Sequence, residues 1–155
     1  MISKVMVATG GSPWSEEALK YAIELSKLLK AKLFIVTVVQ YPSIIEDMGI
    51  AAPVKNELKR KAEEILESAA KKAEEQGIEF ELLLKEGDPA EGVVLASIEK
   101  GADLLVIGSR AKKGILRESI GAIANKIAAT APCPVVIVKD RSYILDLLKK
   151  TISAG

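Results

Sequence analysis

Residues 104–139 read LLVIGSRAKKGILRESIGAIANKIAATAPCPVVIVK. Leu104 to Ile107 is a short apolar run with the length and composition of a buried strand, and Gly108 is expected to end it. Ser109, Arg110, Lys112, Lys113 and Gly114 follow as a basic, glycine-bearing loop. The spacing then predicts a helix over 119–129, with Gly121 near its start, and a second strand over Val135–Val138. A strand that runs into such a loop ahead of a helix N-terminus can hold phosphate through backbone N–H groups and the helix dipole. A nucleotide is therefore the first ligand to consider, although this arrangement does not by itself imply catalysis.

Working outward, the same strand–helix alternation recurs along the chain. Lys4–Ala8 (KVMVA) is a buried-strand candidate, and residues 16–29 carry helical spacing at Ala18, Tyr21, Ala22, Leu25, Leu28 and Leu29. Ser12 or Ser15 is placed to cap that helix, with Pro13 in its first turn. Leu33–Val39 (LFIVTVV) is apolar almost throughout, as expected of a strand covered on both faces of a parallel sheet. Residues 41–53 read as a loop, apolar at Ile44, Ile45, Met48 and Ile50, and suited to a lid or an intersubunit contact. A charged helix is predicted over 54–76, closed by Gly77. A third strand is predicted over 80–84 and a third helix over 89–99, with Asp88 as N-cap and Pro89 at its first position. Mixed charges on the 54–76 helix (Glu57, Lys59, Arg60, Glu63, Glu64, Glu67) read as a solvated, self-paired face.

Five such units predict an α/β layer structure with a parallel sheet and right-handed crossovers. Ligands of these sheets sit beyond the carboxyl ends of the strands, where strand order reverses. With the first strand central, the loops at 9–12 and 108–121 would flank that crevice. Residues 1–140 form one domain, and 141–155 an amphipathic appendage with Tyr143, Ile144, Leu147, Leu148 and Ile152 on its apolar side.

Composition excludes much else. The 155-residue chain contains no histidine, which rules out Ser–His–Asp and Cys–His machinery and imidazole metal sites. Its 22 basic and 21 acidic residues give no overall pull toward nucleic acid, and 4% aromatic content leaves little for base-stacking platforms. No apolar run reaches the roughly 20 residues of a membrane span. The start, MISKVMVATGG, enters a strand without a cleavable signal pattern. Cys133 is the single cysteine, which suits a reducing cytoplasm, and its place before a strand between two prolines suits packing better than reactivity.

Three stretches together resemble the universal stress protein family: KVMVATGGSPWSEEALKYAIELSKLLKAKLFIVTVV, EGDPAEGVVLASIEKGADLLVIGSR and GILRESIGAIANKIAATAPCPVVIVK. The resemblance spans about residues 1–139. It implies a doubly wound five-stranded sheet of order 3-2-1-4-5, akin to flavodoxin and the adenine-nucleotide α-hydrolases. It also implies a homodimer formed through the last strand, Val135, Val136, Ile137 and Val138.

ATP-binding members of that family share a G-x2-G-x9-G-[S/T] loop. Gly108 and Gly121 match its first and last glycines, while Ala111 and Ala122 stand at the second glycine and the hydroxyl position. Where the family usually has an acidic residue before Gly-Ser, this chain has Gly10. The resemblance therefore implies a nucleotide site made of Ala8, Thr9, Gly10, Ser12, Val38, Gly108, Ser109, Arg110, Gly121, Ala122, Ile123 and Ala124. Loss of the acid at position 10 weakens Mg2+-ATP more than a simple anion. Thr9-Gly10-Gly11-Ser12 also resembles the start of the ATP pyrophosphatase loop, but Pro13 and Trp14 replace its final residues. No residue set supports fast catalysis, and slow ATP hydrolysis is the most this chemistry allows. The expected function is an adenine-nucleotide-binding regulatory module. The alternative is a dimeric interaction protein of the same fold, which binds a protein partner and no nucleotide.

Overall fold

The computed structural model describes residues 1–43, 51–109, 121–139 and 141–154. Five parallel strands, β1 (Lys4–Ala8), β2 (Lys32–Val39), β3 (Phe80–Glu86), β4 (Leu104–Ser109) and β5 (Val135–Lys139), form one sheet of order β3-β2-β1-β4-β5. The helices are α1 (Pro13–Leu29), α2 (Ala51–Glu75), α3 (Pro89–Lys100), α4 (Ala122–Thr130) and α5 (Arg141–Ala154).

The strand sequences dictate this layering. Alternate residues of a strand point to opposite faces. Val5, Val7, Leu33, Ile35, Leu104 and Val106 pack with Leu19, Ile23, Leu66 and Ala73 of α1 and α2. Met6, Phe34, Val36, Leu105 and Ile107 pack on the other side with Val93, Ala96, Ala124 and Ile127 of α3 and α4. Val5, Met6 and Val7 are fully buried, which accounts for the unbroken apolar character of the central strand. Because β1 pairs with β2 on one side and β4 on the other, the connections leaving β1 and β4 diverge at one point of the sheet's carboxyl edge.

Local signals set most boundaries. The Ser12 side chain accepts from Ser15 N–H to cap α1, and Pro13 takes its first position. Asp88 and Pro89 do the same for α3. Gly101, at φ 64°, ends α3 in the left-handed region that glycine tolerates. At the far edge of β1 and β4, the Asp103 carboxylate accepts from Ser3 N–H (3.0 Å) and Lys4 N–H (2.9 Å).

Three expectations require correction. Residues 51–53 belong to α2 and not to a loop, since Pro53 lies in the first turn, where a missing N–H costs no helical bond. Strand β3 continues to Glu86, paired with β2 as far as Val39. Gly108 does not end β4 but lies within it, opposite Val138. Its lack of a side chain serves a close approach of backbone instead, because a Cβ there would meet the Trp14 carbonyl of α1. The apolar residues Ile44 to Ile50 lie outside the described residues, as do Arg110 to Ile120, including Ala111, Lys112, Lys113 and Gly114.

Candidate functional site

The loop after β1 is built by backbone pairing and two serines. Thr9 N–H donates to Val36 O at 2.9 Å, so Thr9 extends the β1–β2 ladder by one residue. The Thr37 hydroxyl donates to Thr9 O. Gly11 then turns the chain at φ 81°, with space for a Cβ limited by Ile65 at 3.3 Å. The buried Ser15 hydroxyl donates to Ser12 O (2.8 Å) and accepts from Gly10 N–H (3.3 Å) and the Ser12 hydroxyl (3.0 Å). This network uses the α1 capping turn to hold Gly10 in place.

Opposite, β4 runs through Gly108 to its last residue, buried Ser109, and the described chain resumes at Gly121. Gly121 is the N-cap of α4, with φ 81° and no capping side chain. The first bond of the α4 ladder runs from Asn125 N–H to Gly121 O (2.9 Å). The amides of Ala122, Ile123 and Ala124 precede that bond and stand at the positive end of the helix dipole.

Between the β1 loop and the start of α4 lies a cavity of about 180 Å³. Ala8, Val36 and Val38 line it from the sheet, and Ile107 and Gly108 from β4. Pro89 and Val93 of α3, and Ile123, Ala124 and Ile127 of α4, form the opposite wall. Thr9, Gly10, Ser12, Trp14 and Ser15 complete it. Thr9 is 4% exposed, and its Oγ1 has no hydrogen-bond partner among the described residues. A buried hydroxyl without a partner costs about 1–3 kcal/mol, so a ligand that engages it would recover part of that cost.

Among the described residues, every residue lining this cavity is uncharged. In the flanking helices an ion pair joins Asp88 to Lys126 at 3.4 Å, tying the start of α3 to α4. The Glu91 N–H bond, followed by the Lys126 charge, holds the Asp88 carboxyl below the usual aspartate range. No three histidine, cysteine, aspartate or glutamate side chains among the described residues are grouped to hold a metal ion.

Most of the residues expected at the site do meet here. Ala8, Thr9, Gly10, Ser12, Val38, Gly108, Ile123 and Ala124 all line the cavity. Ser109, the last residue of β4, and Gly121 and Ala122, the N-cap and first residue of α4, do not line it, and Arg110 lies outside the described residues. Trp14, half-buried, lines the cavity as well. The α3 wall of Pro89 and Val93 was not foreseen, since its loop follows β3, at the sheet edge. Gly92 brings α3 there, because a Cβ at this position would stand 2.8 Å from Val38 Cγ2. Cys133 packs half-buried under the α4 side, and burial pushes its thiol up from the ordinary value, as suits a packing residue.

The sequence model of the universal stress protein family matches residues 1–139. The chain belongs to the universal stress protein family. Universal stress protein YxiE of Bacillus subtilis is 33% identical over 148 residues, covering 90% of this chain and 100% of that one. A universal stress protein family protein of Arabidopsis thaliana, solved with AMP bound, is 25% identical with a TM-score of 0.67, covering 88% of this chain and 91% of that one. A universal stress protein solved in complex with cAMP is 26% identical with a TM-score of 0.65, covering 89% and 97%. This universal stress protein shares the family's sheet order and places its cavity at the point where that order reverses. Helix α5 lies beyond the family match. No helix among the described residues is long and apolar enough to cross a membrane.

Proposed function

We propose that this universal stress protein is a regulatory module that binds an adenine nucleotide between the loops leaving β1 and β4. One observation carries the reading: an apolar cavity at the reversal point is lined by Thr9, whose buried hydroxyl has no partner among the described residues, and by Ile123 and Ala124 of the first turn of α4. The apolar walls suit a purine, and the helix end suits a phosphate. The AMP- and cAMP-bound relatives support the same ligand class. Binding would stabilise the folded state and shift the surface offered to a partner. Calorimetry of nucleotide-free protein with adenine nucleotides tests this, and no heat at millimolar ligand would reject it.

A second surface supports self-association. Strand β5 is an edge strand, and its Val135, Val136, Ile137 and Val138 are only half-buried. Pairing β5 with its twin in a homodimer would satisfy that edge. Leu145, Leu148 and Ile152 of α5 expose a further apolar stripe, suited to a protein partner. A cytoplasmic setting fits the single, packed Cys133.

A further inference from the structure

We infer that α5 is an exchanged arm: its stripe of Leu145, Leu148 and Ile152 docks on Tyr21, Leu25 and Leu28 of α1 in a second copy of this chain. The inference rests on the self-association through β5 proposed above and names the second contact that completes it.

Helix α1 carries two apolar lines. Leu19, Ala22 and Ile23 are buried toward the sheet. Tyr21, Leu25 and Leu28 recur at spacings of four and three along another line. Leu28 is 80% exposed, and Tyr21 and Leu29 are exposed beside it. Large apolar residues grouped in this way mark an interaction surface, whereas scattered ones do not.

Topology says which way this line faces. Lys20, Ile23 and Glu24 line the groove toward α2, so Tyr21 and Leu25 take the flank away from α2. Helix α2 packs over β2 and β3, and α1 over β1, β4 and β5, so that flank looks toward the β5 edge. The end of α1 leads directly into β2, whose Lys32 is level with Lys4 at the start of β1. Residues 21–29 therefore lie toward the amino end of the sheet.

A two-fold axis pairs residues reciprocally, so it sets two β5 edges antiparallel. Lys139 of one copy then lies beside the start of the other copy's β5. Helix α5, which follows at Arg141, begins next to the exposed α1 flank of that other copy. In its own chain it begins at the opposite, carboxyl end of the sheet.

Length and charge agree. Tyr21 to Leu28 and Leu145 to Ile152 each span seven residues, about 10 Å of helix. Lys20 pairs with Glu17 (3.5 Å) and Lys27 bonds to Gln76 (3.3 Å), which leaves Glu24, within the α1 line, without an ion pair among the described residues. Lys149, within the α5 stripe, has none either. Stable interfaces bury about 1,200–2,000 Å². A five-residue edge strand, about 17 Å long, is a narrow strip beside that, and two exchanged arms widen it.

The experiment is a double-mutant cycle on the full chain: wild type, Leu28→Gln, Leu148→Gln and the pair, each by sedimentation equilibrium and by thermal unfolding at a dilution where the chain is monomeric. Each single change should raise the dimer dissociation constant at least tenfold, and the pair little further, because both remove one contact. The unfolding temperature of the dilute protein should not move. A lower unfolding temperature with an unchanged dimer constant would put α5 on its own α1 and overturn the exchange. A dimer constant unmoved by either change, or losses that add in full, would overturn it as well, with the β5 contact left standing. A wild type that stays monomeric at every concentration overturns the β5 reading, and this inference with it.

Discussion

A methyl group on Gly108 would stand 2.3 Å from the carbonyl oxygen of Trp14 and 2.6 Å from its carbonyl carbon. Strand β4 thus meets the first turn of α1 backbone to backbone, with Ser15 N at 3.0 Å from the same point. Glycine is required at 108 by the packing of the fold as much as by any ligand. Replacing it must push α1 away from the sheet, and overpacking of this kind typically costs 1–3 kcal/mol or more. Gly108→Ala should lower the urea midpoint markedly at an unchanged m-value. A midpoint within error of the wild type would show that the two segments separate freely. Loss of nucleotide binding in this variant would therefore report on stability before it reported on contact.

Thr9 offers a cleaner probe because its two effects have opposite signs. Its Oγ1 is buried without a partner among the described residues, while its backbone carbonyl carries the bond from Thr37. Thr9→Val removes the hydroxyl and keeps the shape and the backbone bonds. The nucleotide-free protein should be as stable as the wild type or slightly more so, since an unsatisfied polar group has been removed. Nucleotide affinity should fall roughly threefold to tenfold, the value of one ordinary hydrogen bond. Thermal unfolding with and without AMP reads both effects in one experiment. A drop in unliganded stability would mean that the hydroxyl has a partner in the folded chain.

These two residues also mark what was legible in the sequence. The layering was readable because buried parallel strands leave long apolar runs, as in residues 33–39, and because Asp88-Pro89 and Gly101 are local signals for helix ends. Gly108 looked like a strand breaker because its reason for being glycine, the Trp14 carbonyl, lies more than ninety residues away in the chain. The same holds for the Pro89 and Val93 wall. Gly92 reads as a weak point in a helix until Val38 is seen against it. Thr9 could be expected at the site from its loop, but that its hydroxyl lacks a partner is a property of packing that no spacing reveals.

Asp103 predicts how the fold responds to acid. Its carboxylate accepts from Ser3 N–H, Lys4 N–H and the Ser3 hydroxyl at 3.0, 2.9 and 3.2 Å, joining the start of β1 to that of β4. The Ser3 amide, then the Lys4 amide, holds the carboxyl below the usual aspartate range. A group lowered on folding stabilises the folded state when ionised. The contribution is therefore complete above about pH 4, the ordinary aspartate value, and is lost as pH falls through the lower folded value. Asp103→Asn should reduce the unfolding temperature at pH 7, and the gap to the wild type should close progressively below pH 4. A gap that stayed constant down to pH 2.5 would assign the effect to shape and not to charge.

The open side of β5 makes the last prediction. Leu105 N–H donates to Pro134 O at 3.0 Å, so the β4 ladder engages alternate residues at 134, 136 and 138. Val135 and Ile137 then turn their N–H and C=O groups to the unpaired edge, where a second copy can bond to them. Ile137→Pro removes an edge donor without removing a donor from the β4 ladder, and proline is tolerated at sheet edges for that reason. The wild type should sediment as a dimer at micromolar concentration and the variant as a monomer, with the far-ultraviolet circular dichroism of the two the same. Ile137→Ala, which keeps the N–H, should remain dimeric, separating loss of the edge bond from loss of the side chain. A wild-type monomer across that range, or a dimer that survives Ile137→Pro with its affinity unchanged, would place self-association elsewhere, with the exposed Leu145, Leu148 and Ile152 stripe of α5 as the next surface to test.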